Sequence, residues 1–76
     1  MEVKLTLHGI LRDHLPRQAK GKATLTLPED ATVQTVIEQL QIKRGAAAIV
    51  NNQEVDKTYG LQEGDEIQLF RLIGGG

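Results

Sequence analysis

The chain has 76 residues and a formal net charge of −1, with 39% hydrophobic residues, 25% charged residues and two aromatic residues. This length allows one small domain. The lack of cysteine excludes a disulfide framework, a thiolate metal site and a thiol nucleophile within the chain. With so little net charge and an apolar run no longer than residues 46–50, we expect a soluble, cytoplasmic domain with no nucleic-acid or membrane partner.

The first third of the chain predicts two strands joined by a wide loop. Residues 3–7 and 23–27 alternate apolar and polar side chains, which is the period of a strand with one buried face. The segment between them, residues 9–22, is too long for a tight hairpin turn and contains Pro16. We therefore predict a loop with one helical turn within residues 10–15.

An amphipathic helix is predicted after the second strand. Four apolar residues recur at the i, i+3, i+4, i+7 spacing of one helical face: Val33, Val36, Ile37 and Leu40. Thr32 or Asp30 can cap the first turn. We expect Lys43 and Arg44 to complement the negative end of the helix dipole and Gly45 to end the helix in the left-handed conformation.

The second half predicts three further strands. Residues 46–50 form a buried strand, residues 51–53 a turn and residues 54–55 a short edge strand, and a last strand alternates from Ile67 to Leu72. The order of elements predicts an α+β domain, with one helix on a mixed sheet whose first and last strands pair in parallel at the centre. The residues predicted to form the core are Leu5, Val36, Ile37, Leu40 and Leu69.

Nothing in the folded part predicts a catalytic residue or a metal site. His8 and His14 lack the i, i+4 spacing of a helical metal pair, and the acidic turn at residues 63–66 lacks the ligand spacing of a calcium loop. We interpret both as solvated. Four basic residues lie in or next to the wide loop: Arg12, Arg17, Lys20 and Lys22. Without interleaved aromatic residues, they indicate a solvated face rather than a nucleic-acid site.

The remaining feature is the C-terminal segment, which ends in Gly74, Gly75 and Gly76. One interpretation is a frayed end without function. The other is chemical. Glycines without Cβ atoms can extend by roughly 10 Å through a channel too narrow for side chains and place a carboxylate in another protein's active site. Adenylation would convert that carboxylate into an acyl phosphate anhydride, from which a sulfur or nitrogen nucleophile displaces AMP.

An apolar surface is predicted at the root of this tail. If Ile67 and Leu69 face the core, Phe70 and Leu72 face away from it. Exposed apolar patches often mark partner sites, and a single helix does not cover both faces of a sheet. We therefore predict that Phe70 and Leu72 bind a partner.

Nearly the whole chain resembles the β-grasp (ubiquitin-like) sulfur carriers of the ThiS/MoaD type. The stretches that carry the resemblance are residues 27–33, 48–55 and 61–70, followed by Gly75 and Gly76. The C-terminal half is similar to the sulfur carrier of thiamine thiazole synthesis. The long first loop is more similar to the small subunit of molybdopterin synthase.

The resemblance implies a β-grasp domain at residues 1–73, with a mixed four- to five-stranded sheet and one main helix, and a flexible glycine tail at residues 74–76. It implies that an ATP-dependent, ubiquitin-activating-like enzyme adenylates Gly76. The thiocarboxylate then formed donates sulfur to a synthase of thiamine thiazole or molybdopterin biosynthesis. The chain itself would be no enzyme and need no cofactor. The third glycine, Gly74, departs from the commonest ending. A ubiquitin-like protein modifier, and a regulatory or RNA-binding module with an inert tail, are the alternatives.

Overall fold

A five-stranded mixed sheet carries one α-helix in the computed structural model, which describes residues 1–42 and 45–71. The strands are β1 Glu2–Leu7, β2 Lys22–Thr26, β3 Ala46–Val50, β4 Gln53–Val55 and β5 Glu66–Arg71, and the helix is α1 Val33–Gln39. The strand order is β2-β1-β5-β3-β4. β1 and β5 pair in parallel, and the other neighbours are antiparallel. The predicted α+β class, mixed sheet and central parallel pair are therefore confirmed.

The wide loop contains two short 3₁₀ helices, at Gly9–His14 and Arg17–Ala19. The first corresponds to the helical turn predicted within residues 10–15. Leu11 on this turn is buried and extends the core beneath the loop. No helix among the described residues has the length and apolar character that crossing a bilayer requires.

The core lies between α1 and one face of the sheet. Leu5, Val36, Ile37 and Leu69 are buried in it, as predicted. Leu40 is only partly buried, because it is the C-cap of α1 rather than part of an internal turn. The face of the sheet opposite α1 therefore presents the alternate residues of β1 and β5, which are exposed or half-buried.

The N-terminus of α1 is capped by a reciprocal pair of threonines. Thr32 accepts a hydrogen bond from the backbone N of Thr35 at 3.4 Å, and the backbone N of Thr32 donates to Thr35 Oγ1 at 3.0 Å. This arrangement satisfies two of the donors that a helix start leaves free. Thr32, not Asp30, is therefore the cap.

The C-terminus of α1 lies earlier than the sequence predicts. The backbone N of Ile42 donates to Ile37 O at 3.1 Å, and that of Gln41 donates to Glu38 O at 3.0 Å. These two bonds form a Schellman motif with Gln41 in the left-handed conformation at φ 59. The predicted end at Gly45 is wrong because Gln41 takes the position that glycine usually fills. Lys43 and Arg44 lie outside the described residues.

The acidic turn is also not the solvated turn that the sequence suggests. The Asp65 side chain is 7% exposed. Its carboxylate accepts hydrogen bonds from Asn51 Nδ2 at 2.9 Å and from the backbone N of Gln62 at 2.8 Å. Asp65 therefore joins the β3–β4 turn to the start of β5, whereas its neighbours Glu63 and Glu66 are exposed.

Substitutions of Gln41, the left-handed residue after α1, test the Schellman motif at the end of this helix. We expect Gln41→Gly to raise the free energy of unfolding by about 0.5–1 kcal/mol, because the left-handed penalty of a side chain exceeds the extra chain entropy of glycine. Gln41→Val should lower it by about 1 kcal/mol, because a β-branched residue fits this conformation poorly. Urea midpoints at constant m-value measure both changes. A lower midpoint for Gln41→Gly would contradict the assignment.

Candidate functional site

β5 carries Phe70 to the face of the sheet opposite the helix. Ile67 and Leu69 are 1% and 0% exposed in the core, and Phe70 alternates away from them, half-buried rather than fully exposed. The predicted orientation of Phe70 is therefore confirmed. The other predicted site residues lie outside the described residues: Leu72, Gly74, Gly75 and Gly76.

The His8 ring covers one face of the Phe70 ring. The two rings stack with centroids 4.4 Å apart and an interplanar angle of 1°. The parallel register pairs Leu7 with Leu69, so that the residue after β1 lies beside Phe70. The His8 ring is fixed further by a hydrogen bond between Nε2 and Gln68 Oε1 at 2.9 Å. The interpretation of His8 as solvated is therefore wrong, whereas His14 is exposed.

A cavity of about 350 Å³ lies beside the stacked rings. Its lining residues are His8, Gly9, Ile10, Phe70 and Arg71. The Ile10 side chain is 51% exposed, which is unusual for so large an apolar group. Sequence reasoning placed Ile10 in a helical turn and assigned it no role. Ile10 belongs to no regular apolar period within the loop, and this could have marked it as an exposed apolar residue. Its neighbour in the cavity, Phe70, is 60 positions away in the sequence.

The apolar surface continues from this cavity across β3. In the antiparallel register, Ala47 lies opposite Phe70 and Ile49 lies opposite Gln68. Both β3 side chains are half-buried. We call the set His8, Ile10, Ala47, Ile49 and Phe70 the β5 patch. It offers an apolar anchor surface with a shallow concavity, which suits an apolar side chain of a partner protein.

The cavity beside the stacked rings carries little charge. Among the described residues, Arg71 is the one charged residue in its lining. Within residues 1–42 and 45–71, no three His, Asp or Glu side chains converge as a metal site. A pKa shift among the described residues lies in the loop after β4, at Asp56. The Thr58 hydroxyl donates to the Asp56 carboxylate at 2.5 Å and the Thr58 backbone N donates to it at 2.9 Å, and these bonds lower the pKa of Asp56.

The contribution of the stack between His8 and Phe70 to the free energy of unfolding can be measured. We expect His8→Ala and Phe70→Ala each to lower the free energy of unfolding by about 1 kcal/mol. The double variant should lose about 0.5–1.5 kcal/mol less than the sum, because the first truncation already removes the stack. His14→Ala is the control and should change stability by less than about 0.5 kcal/mol. Strict additivity in urea unfolding would show that the rings do not interact.

The comparisons with known proteins concern the fold and the family of the chain. Residues 14–76 match the ThiS family. No curated protein matches the chain. SAMP1 from Haloferax volcanii is similar in structure, with a TM-score of 0.73, 17% identity and 100% of both chains covered. A putative molybdopterin converting factor, subunit 1, from Pyrococcus furiosus has a TM-score of 0.76 and 21% identity, over 96% of this chain and 99% of that one.

A complex is also among the similar structures. The match is to the complex of subunits 1 and 2 of the molybdopterin-converting factor from Helicobacter pylori, with a TM-score of 0.63, 21% identity and 100% of both chains covered. At these identities the structural likenesses show the β-grasp fold alone. The family match is stronger evidence, because it covers most of the chain from the first loop onward. The chain belongs to the ThiS family.

Proposed function

We propose that this protein is a sulfur carrier whose reacting group is the carboxylate of Gly76. The observation that carries the proposal is the family match, which runs through β5 to residue 76 and so includes the terminal glycines. The β5 patch supports it, because it offers a partner an apolar surface near the end of β5, the strand that precedes residues 72–76 in the sequence. In this proposal residues 1–73 form the domain and residues 74–76 the tail.

The chemistry requires activation from outside the chain. A carboxylate is ionised at neutral pH and resists nucleophiles. In the first step a Gly76 carboxylate oxygen attacks the α-phosphorus of ATP, and pyrophosphate leaves. Hydrosulfide then attacks the acyl carbon, the C–S bond forms, and the bond to the AMP oxygen breaks. The products are a thiocarboxylate, AMP and a proton.

The chain is therefore the carrier and the partner is the enzyme. We propose an ATP-dependent adenylating enzyme that docks on Phe70 and Leu72, and a synthase that accepts the sulfur, with both steps in the cytoplasm. The Helicobacter pylori complex supports a protein partner, because there a chain of similar fold is bound to a second subunit. Thiamine thiazole and molybdopterin biosynthesis are the two pathways proposed, the first from the family and the second from the structural neighbours.

A protein modifier is the second candidate. It is favoured by the likeness to a protein described as small archaeal modifier protein 1 of H. volcanii, with a TM-score of 0.75 and 16% identity over 95% of this chain. In that reaction a lysine amine, instead of hydrosulfide, attacks the activated acyl carbon and forms an isopeptide bond. The two candidates share the adenylate and differ in the nucleophile, so the product mass separates them.

Removal of the last two glycines tests the reacting group. With ATP, the adenylating enzyme and a sulfide source, the intact protein should exchange one oxygen for one sulfur in its mass spectrum. A variant that lacks Gly75 and Gly76 should remain unmodified, although its urea midpoint should be unchanged because β5 is intact. A variant that lacks only Gly76 keeps a diglycine ending and should also remain unmodified. Sulfur on either variant would overturn the assignment to Gly76, and adducts on lysines would favour the modifier.

Truncation of the β5 patch tests the docking surface. We expect Phe70→Ala to weaken binding to the adenylating enzyme by about thirtyfold, the effect of losing about 2 kcal/mol at an interface centre. Tyr59→Ala is the matched control. Tyr59 is 37% exposed, and its carbonyl accepts from the backbone N of Val33 at the start of α1, on the other side of the sheet. Equal affinities of the wild type and Phe70→Ala, measured by calorimetry, would move the docking surface elsewhere.

A further inference from the structure

The wide loop forms a second, positively charged cavity that is open to solvent. Arg12, Arg17 and Lys20 line it together with Asp13, and its volume is about 350 Å³. This volume lies in the range of small-ligand clefts. The sequence pattern indicates a solvated face for the basic residues of this loop, but the fold brings three of the four around one concave space. Lys22, on β2, is not in its lining.

The backbone holds these cations on fixed turns. Leu15 N donates to Arg12 O at 3.1 Å, and Lys20 N donates to Arg17 O at 3.1 Å. Lys20 itself takes the left-handed conformation at φ 55, which closes the second 3₁₀ helix. The backbone that carries the three cations is thus ordered before binding, whereas their side chains are exposed and lose rotamer freedom when an anion binds.

Gly21 lets Arg12 lie against the main chain at the cavity wall. Gly21 is buried with φ +78, and a Cβ there would lie 2.7 Å from Leu7 O, 3.0 Å from Arg12 Cγ and 3.1 Å from Arg12 Nε. No side chain fits in that space. A side chain at residue 21 would therefore displace Arg12, which lines the cavity.

The charge of the lining is not balanced within the cavity. Three cations and one carboxylate give a formal charge of +2 in a chain of net charge −1, so the remainder of the chain carries −3. Like charges held in one concave space repel each other. An anion between them removes that repulsion.

We propose that this cavity binds a phosphate-class oxyanion. A guanidinium presents a planar fork of donors that matches two phosphate oxygens, and an ammonium adds a point charge. Among the residues that the structure describes, no aromatic ring on which a base could stack lies in this lining. The cavity therefore recognises phosphate groups rather than a nucleobase, and it binds pyrophosphate more tightly than phosphate because more charge is neutralised. This inference stands apart from the reaction at Gly76.

The test is a titration followed by amide chemical shifts, at an ionic strength held constant with sodium chloride. Inorganic pyrophosphate should saturate the shifts of residues 9–21. We expect Arg12→Gln, Arg17→Gln and Lys20→Gln each to weaken binding about two- to fivefold, the effect of one exposed ion pair, and the triple variant to weaken it more than tenfold. Lys57→Gln removes the same charge from the exposed loop after β4 and should leave the affinity unchanged.

A second series separates the sources of the oxyanion. ATP and pyrophosphate should compete at similar affinity if the cavity reads phosphates alone, and AMP should bind more weakly than either. ATP much tighter than pyrophosphate would instead assign a nucleotide as the ligand and overturn recognition by phosphates alone. The urea midpoints of the single variants should equal or exceed that of the wild type, because like-charge repulsion is reduced.

Two results would overturn the proposal. One is a change in amide chemical shift that does not saturate with pyrophosphate and disappears when chloride is added, because this would indicate non-specific electrostatic attraction. The other is an equal loss of affinity in Lys57→Gln and in the three loop variants, which would show that net charge rather than the cavity attracts the anion. Because the single variants retain two of the three cations, they keep the test valid even if the triple variant fails to fold.

Discussion

The parallel pairing of β1 with β5 is the constraint on which both candidate sites depend. It aligns Leu5 with Ile67 and Leu7 with Leu69, so that the two strands end at the same edge of the sheet. The chain leaves β1 there into the wide loop, and it leaves β5 there toward residues 72–76. His8 N donates to Leu69 O at 3.1 Å and fixes the first residue of the loop to β5. The aromatic stack, the apolar cavity and the basic cavity therefore share one end of the molecule, and Gly9 lines both cavities.

Polar contacts at the opposite end of β5 hold that register. Asp65 accepts from Asn51 and Gln62, and its own carbonyl accepts from Lys4 N at 2.9 Å. Because the carboxylate is buried, loss of its partners would leave an unpaired charge away from water, which is costly. A shift by one residue would also turn Ile67 and Leu69 out of the core. These contacts at the start of β5, together with the hydrogen bond from His8 N to Leu69 O near its end, fix the strand that carries Phe70.

Local patterns in the sequence predicted most of the fold, and contacts between distant residues account for most of what they did not. Period-two alternation predicts β1, β2 and β3, and the helical spacing of apolar residues predicts α1. These patterns are readable because they involve only residues close together in the sequence. The end of α1 was missed because a glutamine occupies the left-handed position, a choice that the two hydrogen bonds of the Schellman motif stabilise. The stack of His8 on Phe70 could be found only by applying the predicted parallel pairing residue by residue. The cavity around Arg12 depends on the path of the wide loop, and no repeating pattern of apolar and polar residues predicts that path.

The position of β5 in the sheet also has a consequence for the synthesis of the protein on the ribosome. The pairs β1–β2 and β3–β4 join strands close in sequence, and either can form early. Each nevertheless keeps an inner edge unpaired until residues 66–71 insert between β1 and β3. Contacts between such distant segments form slowly, and open strand edges invite aggregation. A nascent chain without β5 therefore exposes two open strand edges, and the sheet is complete only when residues 66–71 have paired with β1 and β3.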